Sequence, residues 1–247
     1  RDSAQGSFGG PEHRRRTKRH NLRQPARQGS EVRQRYLGAG VLAGSDTASG
    51  VVPTDSTVGF PVINAFGGGA TGYIAGITFG STVPCRIKLF DCLFKAGAYA
   101  FNAATTLASR PSYSSRVLGG TDYSNTEIWI EAATAFTGNQ SIAVTYTNQA
   151  GTTARTTGTI ATGVAPIVGR MLQLPLQSGD TGVQKIESVT STVSTVGTFN
   201  VLVLRRLWSG RVIVANWGDT HDLFKTGMPQ IFANSALMAI VQPDSTA

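Results

Sequence analysis

From about Phe60 onward, apolar and polar positions alternate in short runs, and a period of two predicts strands. Thr126 to Ala132 (TEIWIEA) places Ile128 and Ile130 on one face and Glu127, Trp129 and Glu131 on the other. Ser141 to Thr147 (SIAVTYT) places Ile142, Val144 and Tyr146 together, and Gly138-Asn139-Gln140 between the two reads as a turn, so the pair is expected to form a hairpin. Further strands are expected at Tyr73 to Phe79, Arg86 to Phe94, Met171 to Leu176, Val183 to Val193, Phe199 to Leu204, Arg211 to Val214 and Leu237 to Val241, with a Thr-rich strand ending near Ile160. Pro175 cannot donate to a ladder, which assigns the Met171 strand to an edge or a bulge. No long amphipathic helix is visible; a short one fits Gly97 to Leu107. Turn signals recur at about the 8–12-residue spacing of sandwiches and barrels, so the expected fold is all-β, an antiparallel two-sheet sandwich of jelly-roll type.

The pattern stops at the N-terminus. Residues 1–37 have no apolar periodicity and form a basic arm, extended or disordered; 38–59 read as a linker or peripheral strand; 60–247 form the body. Charge divides the same way. The arm holds ten bases against three acids, +7 of the net +8, and the remainder is nearly neutral. Charged residues are only 15% of the chain, against about 25% in an ordinary domain. Such a surface is cheap to desolvate and suits permanent subunit contacts, or else a Thr-rich solvent face. No apolar run approaches the roughly 20 residues that span a membrane, so no membrane partner is expected.

Candidate chemistry is sparse. Gly67 to Gly72 matches GxGxxG by letter, but a strand pattern follows where a nucleotide site needs a helix. Glu127 and Glu131 flank Trp129; four residues along a strand separates them by roughly 13 Å, beyond the roughly 5–9.5 Å of a glycosidase pair. They read as a solvated or inter-subunit face. Gly218 to Asp222 sets His221 between two acids and reads as a polar turn after Trp217. Cys85 and Cys92 lack a third ligand or a His partner and read as reduced, partly buried thiols, a loop disulfide being the alternative. Asn139-Gln140-Ser141 is a glycosylation sequon that matters only in a secreted chain. No catalytic residue, cofactor or metal is expected. The arm is the strongest local signal: Arg14, Arg15, Arg16, Lys18 and Arg19 fall within six positions, followed by Arg23 and Arg27. These seven are the candidate contacts, either to a neighbouring subunit or, by counterion release and without sequence preference, to nucleic acid.

Three stretches, Thr126 to Gly151, Gly169 to Ile186 and Thr195 to Trp208, resemble virion structural proteins of tailed bacteriophages and prophages. The resemblance covers roughly residues 60–247 and excludes the arm. It implies a head decoration or cement protein, or a tail or connector component, that resides in the virion; the reduced thiols read as assembly in the host cytoplasm. Its implied partners are further copies of itself, a trimer being one form, and other virion proteins such as the major capsid protein. The alternative is a jelly-roll coat protein whose arm neutralises packaged genome; an enzyme is not expected. Deleting residues 1–37 should leave a folded body with β-type circular dichroism, and an unfolded truncation would refute the two-part reading.

Overall fold

The computed structural model describes residues 49–100, 104–108, 110–135, 137, 141–161, 168–191 and 196–244. In chain order the strands are β1 (Gly50–Val51), β2 (Gly72–Tyr73), β3 (Ile77–Ser81), β4 (Cys85–Ala100), β5 (Ala104–Thr106), β6 (Thr126–Ala132), β7 (Ser141–Asn148), β8 (Arg155–Thr156), β9 (Ile160–Ala161), β10 (Met171–Leu174), β11 (Val183–Ser191), β12 (Thr198–Val212), β13 (Trp217–His221), β14 (Gln230–Ile231) and β15 (Leu237–Pro243). The one-turn helix α1 (Leu223–Thr226) follows β13, and a single 3-10 turn spans Ser114–Arg116.

The fold is all-β and, among the described residues, every strand pair is antiparallel. The larger sheet runs β10–β6–β12–β4, with β1 and β15 lying end to end along the far edge of β4. The smaller runs β5–β11–β7, with β8 and β9 end to end on β7. Two ribbons, β13–β3 and β14–β2, stand beside them. The sheets face one another across a core that takes Phe94, Ile128, Ile130, Phe199 and Val201 from one side and Ile142, Val144, Tyr146, Ile186 and Val189 from the other.

The larger sheet is buried on its outer face too. There Phe90, Cys92, Trp129, Leu202, Leu204, Met238 and Ile240 pack with Phe60 and Ala236. A strand covered on both faces needs apolar residues at every position rather than at alternate ones. That is why Val201 to Leu204 in β12 is a continuous apolar run: Val201 and Val203 point inward with Phe199, Leu202 and Leu204 outward.

Three expectations change. The hairpin of β6 with β7 does not form, because β6 pairs on both edges with β12 and β10, and β7 with β11 and with β8 and β9. Neither strand keeps an edge for the other, so their apolar faces meet across the core. The short helix at Gly97 to Leu107 is absent from the described part of that segment: Gly97 to Ala100 ends β4, and β5 follows at Ala104. Tyr99 is buried between exposed Ala98 and Ala100, a period of two that pairing with Phe199 of β12 enforces over the helix propensity of alanine. The strand expected at Arg211 is the end of β12, which is paired along its whole length with the sixteen-residue β4. The edge position of β10, with Pro175 after it, is as Pro175 required.

The break between β1 and β15 is closed by side chains. Pro53 lacks an N–H and the chain leaves β4 there, while β15 begins opposite Asp91. Arg116, fully buried, bonds the carbonyls of Pro53 and Cys92 (the latter at 2.6 Å) and the Asp91 carboxylate. Asp91 also accepts from Ser235 Oγ at 2.8 Å, from the Ala236 amide at 2.9 Å and from Arg205 Nη2 at 3.4 Å. Burial pushes the Arg205 guanidinium below its ordinary pKa, and Asp91 opposes that shift. Removing one member of such a buried set costs roughly 3–5 kcal/mol because the others stay charged and unpaired. Asp91→Ala should therefore lose about that much in urea-unfolding free energy, far more than the exposed Asp122→Ala; equal losses would remove Asp91 from this role.

Candidate assembly surface

The arm residues Arg14, Arg15, Arg16, Lys18, Arg19, Arg23 and Arg27 lie outside the described residues, as does the Asn139 sequon turn. The remaining candidates can be placed. Gly67 to Ala70 is a turn closed by the Ala70 N–H bonding the Gly67 carbonyl at 2.8 Å, and it leads into β2, not into a helix. Cys85 and Cys92 are free, both on β4 and fully buried; burial pushes the Cys92 thiol up to about 12, so it stays protonated.

Glu127 and Glu131 do share a face, but it is not a solvated one: they are 8% and 7% exposed. Glu127 accepts from Trp129 Nε1 at 2.9 Å and pairs with Arg206 at 3.3 Å. Glu131 pairs with Lys95 at 2.7 Å and accepts from Asn200 Nδ2 at 3.0 Å. The sequence suggested solvent or a neighbour because it could not show that basic and amide partners from β4 and β12 cover the same face.

Gly218 to His221 is strand, not turn. Each residue of β13 pairs with one of β3, and Asp222 caps α1 by accepting from the amides of Phe224 and Lys225 at 3.1 Å each. A two-stranded ribbon is marginal alone; this one is anchored by a ring cluster. Phe79, Trp208 and His221 stack edge to face with centroids 4.9–5.3 Å apart, and Trp208 Nε1 donates to His221 Nδ1 at 3.0 Å. Gly210 makes the space, since a Cβ there would come within 2.4 Å of the Trp208 ring.

The segment that holds β13 and α1 carries exposed apolar side chains. Between Ile213 and Met228 six large apolar residues are exposed: Ile213, Val214, Trp217, Leu223, Phe224 and Met228, with Trp217 at 60% and Phe224 at 86%. Exposed apolar groups concentrated in this way mark contact surfaces. The sequence placed Trp217 beside a polar turn and gave no sign of this concentration; the signal it did hold was the apolar pair Leu223-Phe224 directly after a capping Asp.

Nearby, an open polar cleft of about 420 Å³ is lined by Asn125, Glu127, Gln173, Gln177, Asp180 and Arg206. Among the described residues no group of three or more His, Cys, Asp or Glu could hold a metal ion, and no helix is long and apolar enough to cross a membrane. Comparison with protein-family models, with curated proteins and with solved structures returns no match.

One wall of the cleft is fixed by Asp180, which straps the β10–β11 loop to the smaller sheet. It accepts from Tyr146 Oη at 2.7 Å, Asn148 Nδ2 at 2.8 Å and Arg155 Nε at 2.9 Å. The Arg155 hydrogen bond, helped by Tyr146 and Asn148, holds the Asp180 carboxyl down at about 2, against 3.8 ordinarily. Burial and the bond to Asp180 push Tyr146 up to about 12, so it remains the donor. A depressed carboxyl stabilises the fold fully above 3.8 and loses that contribution as pH falls through about 2. The stability gap between the wild type and Asp180→Asn should therefore be widest above pH 3.8 and close toward pH 2, as read from urea midpoints across that range; a gap independent of pH would show that the ion pair contributes nothing.

Proposed function

We propose that this chain is a structural virion protein of a tailed bacteriophage, self-assembling and either decorating and stabilising the head or forming part of the tail or connector. The observation that carries the reading is the concentration of exposed apolar side chains between Ile213 and Met228, the segment that holds β13 and α1, presented by a body that already has a complete core. A monomer gains nothing from leaving Trp217 and Phe224 in water, whereas a subunit interface recovers about 25 cal/mol for each Å² of apolar surface it covers. The scarcity of charge supports the same reading, because few ions must be stripped of water when copies meet. The roles proposed are structural rather than catalytic, with copies of itself and other virion proteins as partners. Jelly-roll wiring of the sandwich belongs to this proposal.

A second reading has one observation in its favour, the +7 charge of residues 1–37. In it the chain is a coat protein and the arm binds packaged nucleic acid without sequence preference. The two differ in salt dependence. Arm-bound nucleic acid should be released steeply as salt rises, with a slope set by the number of phosphates neutralised; an arm that grips protein gives no such slope.

Sedimentation velocity of the full chain tests the first reading. The wild type should sediment as an oligomer, and Trp217→Ser combined with Phe224→Ser should shift it toward monomer with unchanged circular dichroism. A wild type that stays monomeric at high micromolar concentration would overturn self-assembly through this surface.

A further inference from the structure

A second polar cluster lies on the outer face of the larger sheet, away from the exposed ribbon. Lys95 of β4, Asn200 of β12 and Glu131 of β6 come from three neighbouring strands, with β12 in the middle. Asn200 stands directly opposite Glu131 in the ladder, and Lys95 stands opposite Leu202, two positions along. All three are buried, at 2%, 6% and 7% exposure for Lys95, Asn200 and Glu131. Lys95 Nζ lies 2.7 Å from Glu131 Oε2, and Asn200 Nδ2 donates to the same oxygen at 3.0 Å. The amine and the amide therefore meet at one carboxylate oxygen. Their ladder neighbours are apolar: Val51 and Leu202 lie on either side of Lys95, and Met171 lies across from Glu131.

An ion pair alone accounts for Lys95 and Glu131 but not for the amide. Asn200 Oδ1 is buried and has no hydrogen-bond partner. It rests against the bare backbone of Gly97, where a Cβ would come within 2.2 Å of it. A buried carbonyl without a donor is an expensive arrangement in a finished core. Beside an amine and a proton carrier in a dry pocket it has the makings of a reaction site.

We propose that Lys95 and Asn200 are joined by an intramolecular isopeptide bond that forms once the fold brings them together, with Glu131 moving the protons. The proton shared at 2.7 Å passes from Lys95 to Glu131, leaving an uncharged amine. Nζ attacks Asn200 Cγ, and the carbonyl electron pair moves onto Oδ1. Glu131 protonates Nδ2 and takes the surplus proton from Nζ. The carbonyl then re-forms, the Cγ–Nδ2 bond breaks and Nδ2 leaves as ammonia. Five protons on the amine and amide become one on the new amide, three on ammonia and one on Glu131. No oxidant, metal or co-reactant is consumed. The product links β4 to β12 covalently across their longest shared ladder, and does so whatever the chain assembles with.

Intact-mass spectrometry of the folded full chain tests this without any variant. The expected mass is the sequence mass less one ammonia, and a protease digest should contain one branched peptide joining the segments around Lys95 and Asn200. Lys95→Met and Glu131→Gln should each restore the full mass. A folded wild type at full sequence mass would overturn the proposal. So would an ammonia deficit that persists in Lys95→Met, since cyclisation of some other asparagine would then be its source.

Discussion

Asp91 sits where four pieces of chain meet, and the larger sheet closes around it. Its carboxylate takes Arg116 from the 3-10 turn, Arg205 from β12, and Ser235 and Ala236 from the turn before β15. One carboxylate against two guanidinium groups leaves a positive excess among buried side chains. Backbone carbonyls of Pro53 and Cys92 accept from Arg116 and that of Gln230 accepts from Arg205 Nη2, while Arg205 Nε is buried without a hydrogen-bond partner. The arrangement makes up for a defect in the sheet, because β1 and β15 each pair with only part of β4 and the stretch between them would otherwise present unpaired backbone groups to the core. A guanidinium with five donors in a fixed plane can serve there as a piece of strand.

That closure lets the larger sheet be buried on both faces. Its inner face packs on the smaller sheet, and its outer face carries a second apolar cluster with charged groups set among it. The buried carboxylates of β6 on that outer face are matched within the chain: Glu127 with Arg206 and Trp129, Glu131 with Lys95 and Asn200. Specificity of register follows. A slip of β12 by one residue would exchange its leucines for valines on the outer face and would break the Arg206–Glu127 and Asn200–Glu131 contacts. The same precision brings an amine, an amide and a carboxylate into reach of one another.

The functional reading rests on what the body leaves outside. The core is complete without Trp217, Phe224 or Met228; Trp217 sits on a ribbon fixed to the body by the Phe79–Trp208–His221 stack, and Phe224 and Met228 lie on and just after the helix capped by Asp222. A rigid scaffold presenting apolar groups on a small, anchored element is suited to docking against another protein surface. A covalent link between β4 and β12 would make the scaffold stiffer under load.

The sequence by itself determined the strand content, because alternation of apolar residues is a local property that any pleated segment must satisfy. It placed β6, β7, β11 and β15 nearly to the residue, put β10 at an edge through Pro175, and separated a basic arm from a neutral body by counting charge. Strand partners lay beyond it, because pairing depends on which edges remain free after every other strand has paired. Hence the expected hairpin of β6 and β7 became two strands in opposite sheets. The exposed surface was equally hidden: Trp217 and Phe224 are apolar in the sequence, and only the finished core decides that there is no room for them inside. Lys95 and Asn200 are unremarked polar residues, Glu131 stood out only for its neighbour Trp129, and the three lie in separate strands; Asp91 and Arg116 are likewise far from the segments they join. Their chemistry exists only when the ladder sets them side by side in a volume from which water has been excluded.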